Sequence, residues 1–241
     1  MLLEICANSL ESSINAQQAG AHRIELCVEL GVGGITPSFG MVEQVLAHVT
    51  IPVFVLIRPR SGHFCYTNSE LTLMQSDIKT YKSMGCHGFV SGVLNRDHTI
   101  NISAVKQLII ACDSLPFTFH RAFDWTPDPI KALDSLIYLG VNRLLTSGQA
   151  ASAFEGLDSL ITFKSHASTN LIIMPGAGIR IENILKFKAA GFSEIHTSAT
   201  CVKQPLIPLP KVSMNNLKSI SDNMSVVSNL ETIKSLIKSI E

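Results

Sequence analysis

The chain has 241 residues, 46% of them hydrophobic, and its 19 basic residues balance 19 acidic ones without any polybasic run. A chain of this size can bury a large core, and its even charge excludes the electrostatic footprint expected of a nucleic-acid-binding or anionic-membrane-binding protein. No run of about 18 apolar residues occurs, and Glu4 and Asn8 interrupt what would have to be the core of a signal peptide, so a cytoplasmic protein with small-molecule partners and no membrane partner is expected.

In chain order, short β-branched or leucine-rich runs recur: LLEIC (2–6), RIELC (23–27), VFVLI (53–57), GFVSG (88–92), FTFH (117–120), RLLTS (143–147), LIIMP (171–175) and EIHTS (194–198). Amphipathic helical segments fall between them. Asn8-Ser9-Leu10-Glu11 reads as a helix start with a side-chain cap and a glutamate three residues on; Pro127-Asp128-Pro129 and Asn183 read as further starts. Gly20, Gly85, Gly140 and Gly191 each stand four residues ahead of an apolar strand position, where a helix must exit through a left-handed turn. Strands separated by helices run parallel. Eight βα units at roughly 30 residues apiece predict a single-domain α/β fold, a (β/α)8 TIM barrel over residues 1–241. The first strand ends in Cys6-Ala7-Asn8-Ser9, with no G-x-G-x-x-G, so no nucleotide cofactor is expected. Residues 201–228, with three prolines and many serines and asparagines, predict an irregular loop before a last helix at about 229–240.

In such a barrel the strand C-termini and the loops after them form the functional face. The polar residues there are Glu4 and Cys6, Glu25 and Cys27, Arg58 and Arg60, and His120, Arg121 and Asp124 of "FTFHRAFD"; Thr197 and Ser198 follow His196. Because residues i and i+2 share a strand face, Glu4 with Cys6 and Glu25 with Cys27 point the same way. The two Glu-x-Cys triplets are expected side by side, with Arg58, Arg121 and His120 as cations for the glutamates. Two chemistries follow. As an enzyme, the protein would use His120, His196, Glu4, Glu25 and Asp124 for acid/base steps on a small anionic or phosphorylated metabolite. The anion would be held by Arg58, Arg60 and Arg121, and by Gly176, Gly178, Thr197 and Ser198 in the seventh and eighth loops. Alternatively, Cys6 and Cys27 would present two soft sulfur donors on adjacent strands, a pair that favours Cu(I). The six cysteines, at 6, 27, 65, 86, 112 and 201, form no C-x-x-C pair and are expected to be reduced.

In combination, LEICANSLESSINAQQAGAHRIELC (3–27), GGITPSFG (33–40), IPVFVLIRPRSGHFCY (51–66), GFVSGVL (88–94), FTFHRAFD (117–124), LLTSG (144–148), MPGAGI (174–179) and EIHTSA (194–199) resemble the CutC family of copper homeostasis proteins. The resemblance implies a cytosolic TIM barrel, a homodimer, and a role in intracellular copper handling, with Cys6 and Cys27 at the positions proposed as Cu(I) ligands. Phe39 stands where the family often has tyrosine and His63 where an acidic residue is common; residues after about 200 match nothing specific.

Overall fold

A computed structural model describes residues 1–203, 207–208, 211–213 and 222–241. Eight parallel strands follow one another in the sheet: β1 (Leu2–Ala7), β2 (Arg23–Leu26), β3 (Val53–Leu56), β4 (Gly88–Ser91), β5 (Phe117–Phe119), β6 (Arg143–Thr146), β7 (Ile172–Pro175) and β8 (Glu194–Thr197). Each pairs with its sequence neighbour from β1 to β7, and β8 pairs with β1. β7 packs beside β8 and nearly closes the ring. The eight sequence runs expected as strands all supply these strands.

The helices wrap the outside: α1 (Leu10–Gln18), α2 (Phe39–His48), α3 (Asn68–Ser83), α4 (Ile102–Cys112), α5 (Pro129–Tyr138), α6 (Leu157–Ala167), α7 (Ile184–Ala189) and α8 (Leu230–Ile240). Their ends follow the local chemistry. Asp128 caps α5, with Pro129 at its first position, and the four repeated glycines leave their helices at φ between 72° and 91°. The first cap differs from the expectation in one respect. Ser9, not Asn8, caps α1, accepting from Ser12 N at 3.1 Å, while Glu11 pairs with Lys203 instead of reaching back to the cap. Asn183 contributes at its turn by accepting from Arg180 N at 2.9 Å.

Alternation along the strands divides the core in two. Outward residues such as Leu3, Ile24, Val55, Phe89, Phe117, Leu144 and Ile195 pack against the helices in one large cluster, each fully buried large side chain contributing about 1.5–3 kcal/mol. Inside the ring the apolar cluster is small: Cys6, Cys27, Phe54, Leu56 and Val90. Much of the rest of the lumen carries charge, on Glu4, Arg23, Glu25, Glu194 and His196, where a barrel of this type more commonly stacks branched aliphatic residues.

The stretch expected as an irregular loop at 201–228 is not wholly irregular. β9 (Thr200–Val202) pairs antiparallel with β10 (Val226–Ser228), and Ser228 N bonds back to Ser12 Oγ at 3.0 Å. Exposed, β-branched residues on both flanks, Val202 and Val226, suit a two-stranded ribbon. Residues 204–206, 209–210 and 214–221 of that expected loop lie outside the described residues.

Candidate metal centre

Barrel closure staggers the strands, and the stagger decides which side chains meet. Glu4 lies opposite Arg23 and His196, and Cys6 lies opposite Glu25. The Glu-x-Cys triplets are therefore displaced by two residues, not side by side as expected. Arg23 and His196 take the place assigned to Arg58, Arg121 and His120 as partners of the glutamates.

At the base of the lumen Arg23 donates to Glu4 and to Glu194, the latter at 2.5 Å, and Arg143 donates to Glu194 at 2.6 Å. Both guanidinium groups also lie against Phe54, their carbons 4.9 and 5.3 Å from its centroid. Above this layer His196 is gripped from both sides. Its Nδ1 faces Glu4 Oε1 at 2.8 Å and its Nε2 faces Glu25 Oε2 at 3.4 Å. The Cys6 and Cys27 sulfurs lie 3.4 Å apart, both buried. One donor atom each from Cys6, Glu25 and His196 lies within 4.8 Å of the other two.

The electrostatics of this cluster follow from burial and pairing. Burial works to raise the Glu4 carboxyl, yet the hydrogen bond from His196 and the charge of Arg23 hold it down at about 2. Glu25 lacks such a guanidinium bond; burial pushes it up to about 7, against the opposing pull of His196. For His196 burial is outweighed by its hydrogen bond with Cys6 and by the two glutamates, which raise it well above the usual imidazole range. The bond with Cys27, together with burial, raises the Cys6 thiol well above its ordinary value.

The remaining sequence candidates are distributed around the mouth. Arg58 is buried and donates to the carbonyls of Val32, Gly34 and Gly62 at 2.7–2.9 Å while stacking on Phe64. Arg60 pairs with Glu70 at 2.5 Å and binds three further carbonyls. His120 caps the short turn that follows β5: its Nδ1 accepts from Ala122 N at 3.2 Å. Burial and the Arg58 charge lower its pKa to about 3, so it is neutral. Asp124 accepts from Thr146, from Ser147 N and Oγ, and from Arg121 Nε at 2.8 Å, which ties the loops after β5 and β6 together. Gly176 sits where a Cβ would come within 2.4 Å of Leu145, so its lack of a side chain leaves room for that β6 side chain.

Two of the cavities separate these groups. Cys6, Glu25, Cys27, Arg58, His120 and Arg121 are among those lining a cavity of about 90 Å³ at the centre of the mouth. Gly178, Thr197 and Ser198 line a different groove of about 750 Å³ beside α8, together with Arg180, Glu182 and Glu231. Arg23, Arg143 and Glu194 were not foreseen. Arg23 could have been, because it shares its strand face with Glu25 and Cys27.

Eight parallel strands in a ring with helices outside define a (β/α)8 barrel, here with a thiol pair, an imidazole and carboxylates in its lumen. Comparison with known proteins makes this specific: the sequence profile described as "CutC family" matches residues 1–201, and the chain belongs to that family. A Streptococcus agalactiae protein, assigned as a copper homeostasis protein CutC, is 34% identical, with a TM-score of 0.78 over 82% of this chain and 98% of that one. The fold alone is shared with two other solved structures. Thiamine phosphate pyrophosphorylase from Pyrococcus furiosus is 13% identical, with a TM-score of 0.58 over 99% of this chain and 95% of that one. KGPDC from Streptococcus mutans is 9% identical, with a TM-score of 0.59 over 99% and 96%. Among the described residues no helix is long and apolar enough to cross a membrane.

Proposed function

We propose that the protein handles copper by binding one Cu(I) ion between Cys6 and Cys27, with His196 Nε2 as a third donor. The observation that carries this reading is the pair of buried sulfurs 3.4 Å apart beside an imidazole. Soft sulfur donors select Cu(I) over hard cations. A ligating histidine characteristically gives its other ring nitrogen to a carboxylate, which fixes the ring; Glu4 stands in that position at 2.8 Å from His196 Nδ1. Cavity size points the same way. About 90 Å³ is small beside the roughly 300–1,000 Å³ of sites for larger small-molecule ligands.

The assignment to a reducing cytoplasm belongs to the same proposal and is supported by six free cysteines, two of them nearly in contact as thiols. Assembly as a homodimer rests on the family resemblance. Anaerobic titration with Cu(I) against a competing chelator tests the metal reading: one ion should bind per chain, and Cys6→Ala with Cys27→Ala should abolish that competition. Equal binding by both proteins contradicts it.

One observation favours a second reading, acid/base catalysis on a small anionic metabolite: Glu25 is poised at about 7 beside His196, in the range suited to a general base at neutral pH. Under that reading Glu25→Gln abolishes turnover while leaving the Cys6 and Cys27 sulfurs in place.

A further inference from the structure

Of the three lumen glutamates, Glu4 and Glu194 bond to arginines, and among the described residues Glu25 does not. Its Oε2 stands 3.4 Å from His196 Nε2, beyond the roughly 2.7–3.2 Å of an ordinary N–H···O hydrogen bond. The Cys6 sulfur completes a buried triangle: one donor atom each from Cys6, Glu25 and His196 lies within 4.8 Å of the other two. A tetrahedral zinc ion bonded to nitrogen and oxygen at about 2.0–2.1 Å holds those two atoms about 3.3 Å apart, close to the spacing of His196 Nε2 and Glu25 Oε2.

Charge balance selects the ion. A thiolate, a carboxylate and a neutral imidazole carry two negative charges, which a divalent cation cancels and Cu(I) does not; charge left over in a buried lumen is costly. Donor type agrees. Zinc takes sulfur, imidazole and carboxylate together, whereas Cu(I) prefers sulfur to carboxylate.

The surroundings suit ligation. Glu4 Oε1 faces His196 Nδ1 at 2.8 Å, which leaves Nε2 to offer its lone pair. Cys27 Sγ lies 3.4 Å from Cys6 Sγ, where its S–H can donate to a Cys6 thiolate. Cys6, Glu25 and Cys27 line the cavity of about 90 Å³ at the mouth, which has room for a water beside the ion.

We propose that Cys6 Sγ, Glu25 Oε2 and His196 Nε2 form a three-ligand site for a divalent ion of the zinc class, with water as the fourth ligand. On binding, the Cys6 thiol proton and any proton on His196 Nε2 leave to solvent. This site shares Cys6 and His196 with the Cu(I) reading and differs from it in using Glu25 instead of Cys27. The two ions compete for one position but depend on different residues, so either reading can fail alone.

Zinc chloride is titrated anaerobically into the metal-free full chain against a chromophoric chelator, with Cu(I) titrated in parallel and thermal unfolding confirming that each variant folds. Wild type should take up one zinc ion. Glu25→Gln should lower zinc affinity by at least about tenfold, the cost of losing even an outer-shell partner, and leave Cu(I) affinity unchanged. Cys27→Ser, which keeps a hydroxyl donor to Cys6, should do the reverse. Cobalt(II) gives a second readout: wild type and Cys27→Ser should show the visible bands of four-coordinate cobalt with a thiolate charge-transfer band, which Cys6→Ser should lose. No saturable zinc binding by wild type, six-coordinate cobalt, equal zinc affinity in Glu25→Gln, or loss of zinc in Cys27→Ser overturns the proposal.

Discussion

Replacing Arg23 by methionine removes the cation that holds two buried carboxylates together. Arg23 is 3% exposed, donates to Glu4 and Glu194, and covers one face of Phe54. Taking away one partner of a buried ion network strands the others, at about 3–5 kcal/mol. For a domain of this length that corresponds to a fall in Tm of roughly 6–20 °C. The pH dependence identifies the cause. The Glu4 carboxyl is lowered from 4.5 to about 2 in the folded chain, so its contribution is present above pH 4.5 and is lost as pH falls toward 2; the full difference is about 3 kcal/mol. Arg23 supplies part of that depression and His196 the rest. The stability gap between wild type and Arg23→Met, measured by urea unfolding from pH 7 to pH 3, should therefore be widest above pH 4.5 and narrow on acidification. Adding Glu4→Gln to the variant should recover part of the loss, because the stranded Glu4 charge is then gone while Glu194 keeps Arg143 as its partner. A gap below about 1 kcal/mol at pH 7, or one that stays constant down to pH 3, would refute the idea that these carboxylates depend on Arg23.

Gly92→Ala should destabilise the protein by about 1–3 kcal/mol in the same assay, since its Cβ would fall 2.5 Å from His120 Nδ1 and 3.1 Å from Phe119; a neutral outcome would mean that His120 can leave its cap without cost. Copper affinity should rise with pH, by about tenfold per unit for each proton displaced, because the Cys6 thiol is held protonated well above its ordinary range. Competition titrations at pH 6.5 and 7.5 measure this slope, and a flat profile contradicts thiol deprotonation on binding. The His120 ring should stay neutral, with its proton on Nε2, from pH 7 to pH 4.5, since burial puts its pKa at about 3. Nitrogen chemical shifts report the tautomer directly. Because the unfolded chain takes up that proton below pH 6.5 and the folded chain does not, His120 lowers stability as pH falls, by about 1.4 kcal/mol per unit until pH 3.

The eight strands were legible because local signs recur along the chain. All eight are short apolar runs, and four of them, β2, β4, β6 and β8, are preceded by glycines whose φ, 72–91° at positions 20, 85, 140 and 191, is one that other residues resist. Period-two alternation was enough to put Glu4 with Cys6, and Glu25 with Cys27, on one strand face. It could not say which residues face each other, because the stagger between β1 and β2 is a property of the closed ring and not of either strand. That is why Glu4 met Arg23 and His196 instead of Arg58. Arg58 was expected as a cation for the glutamates for a related reason: a sequence does not show that it will bind the carbonyls of Val32, Gly34 and Gly62, which come from the loops around it. The β9–β10 ribbon was hidden because its two strands are three residues each and lie far apart in sequence.

X-ray absorption at the copper edge, on protein loaded anaerobically with one equivalent of Cu(I), tests the thiol and imidazole assignment most directly. Two sulfur scatterers and one imidazole nitrogen are predicted for the wild type, the nitrogen vanishing in His196→Ala and both sulfurs in Cys6→Ala with Cys27→Ala. A spectrum without sulfur, or one unchanged by the cysteine substitutions, would place copper somewhere other than the lumen of the barrel.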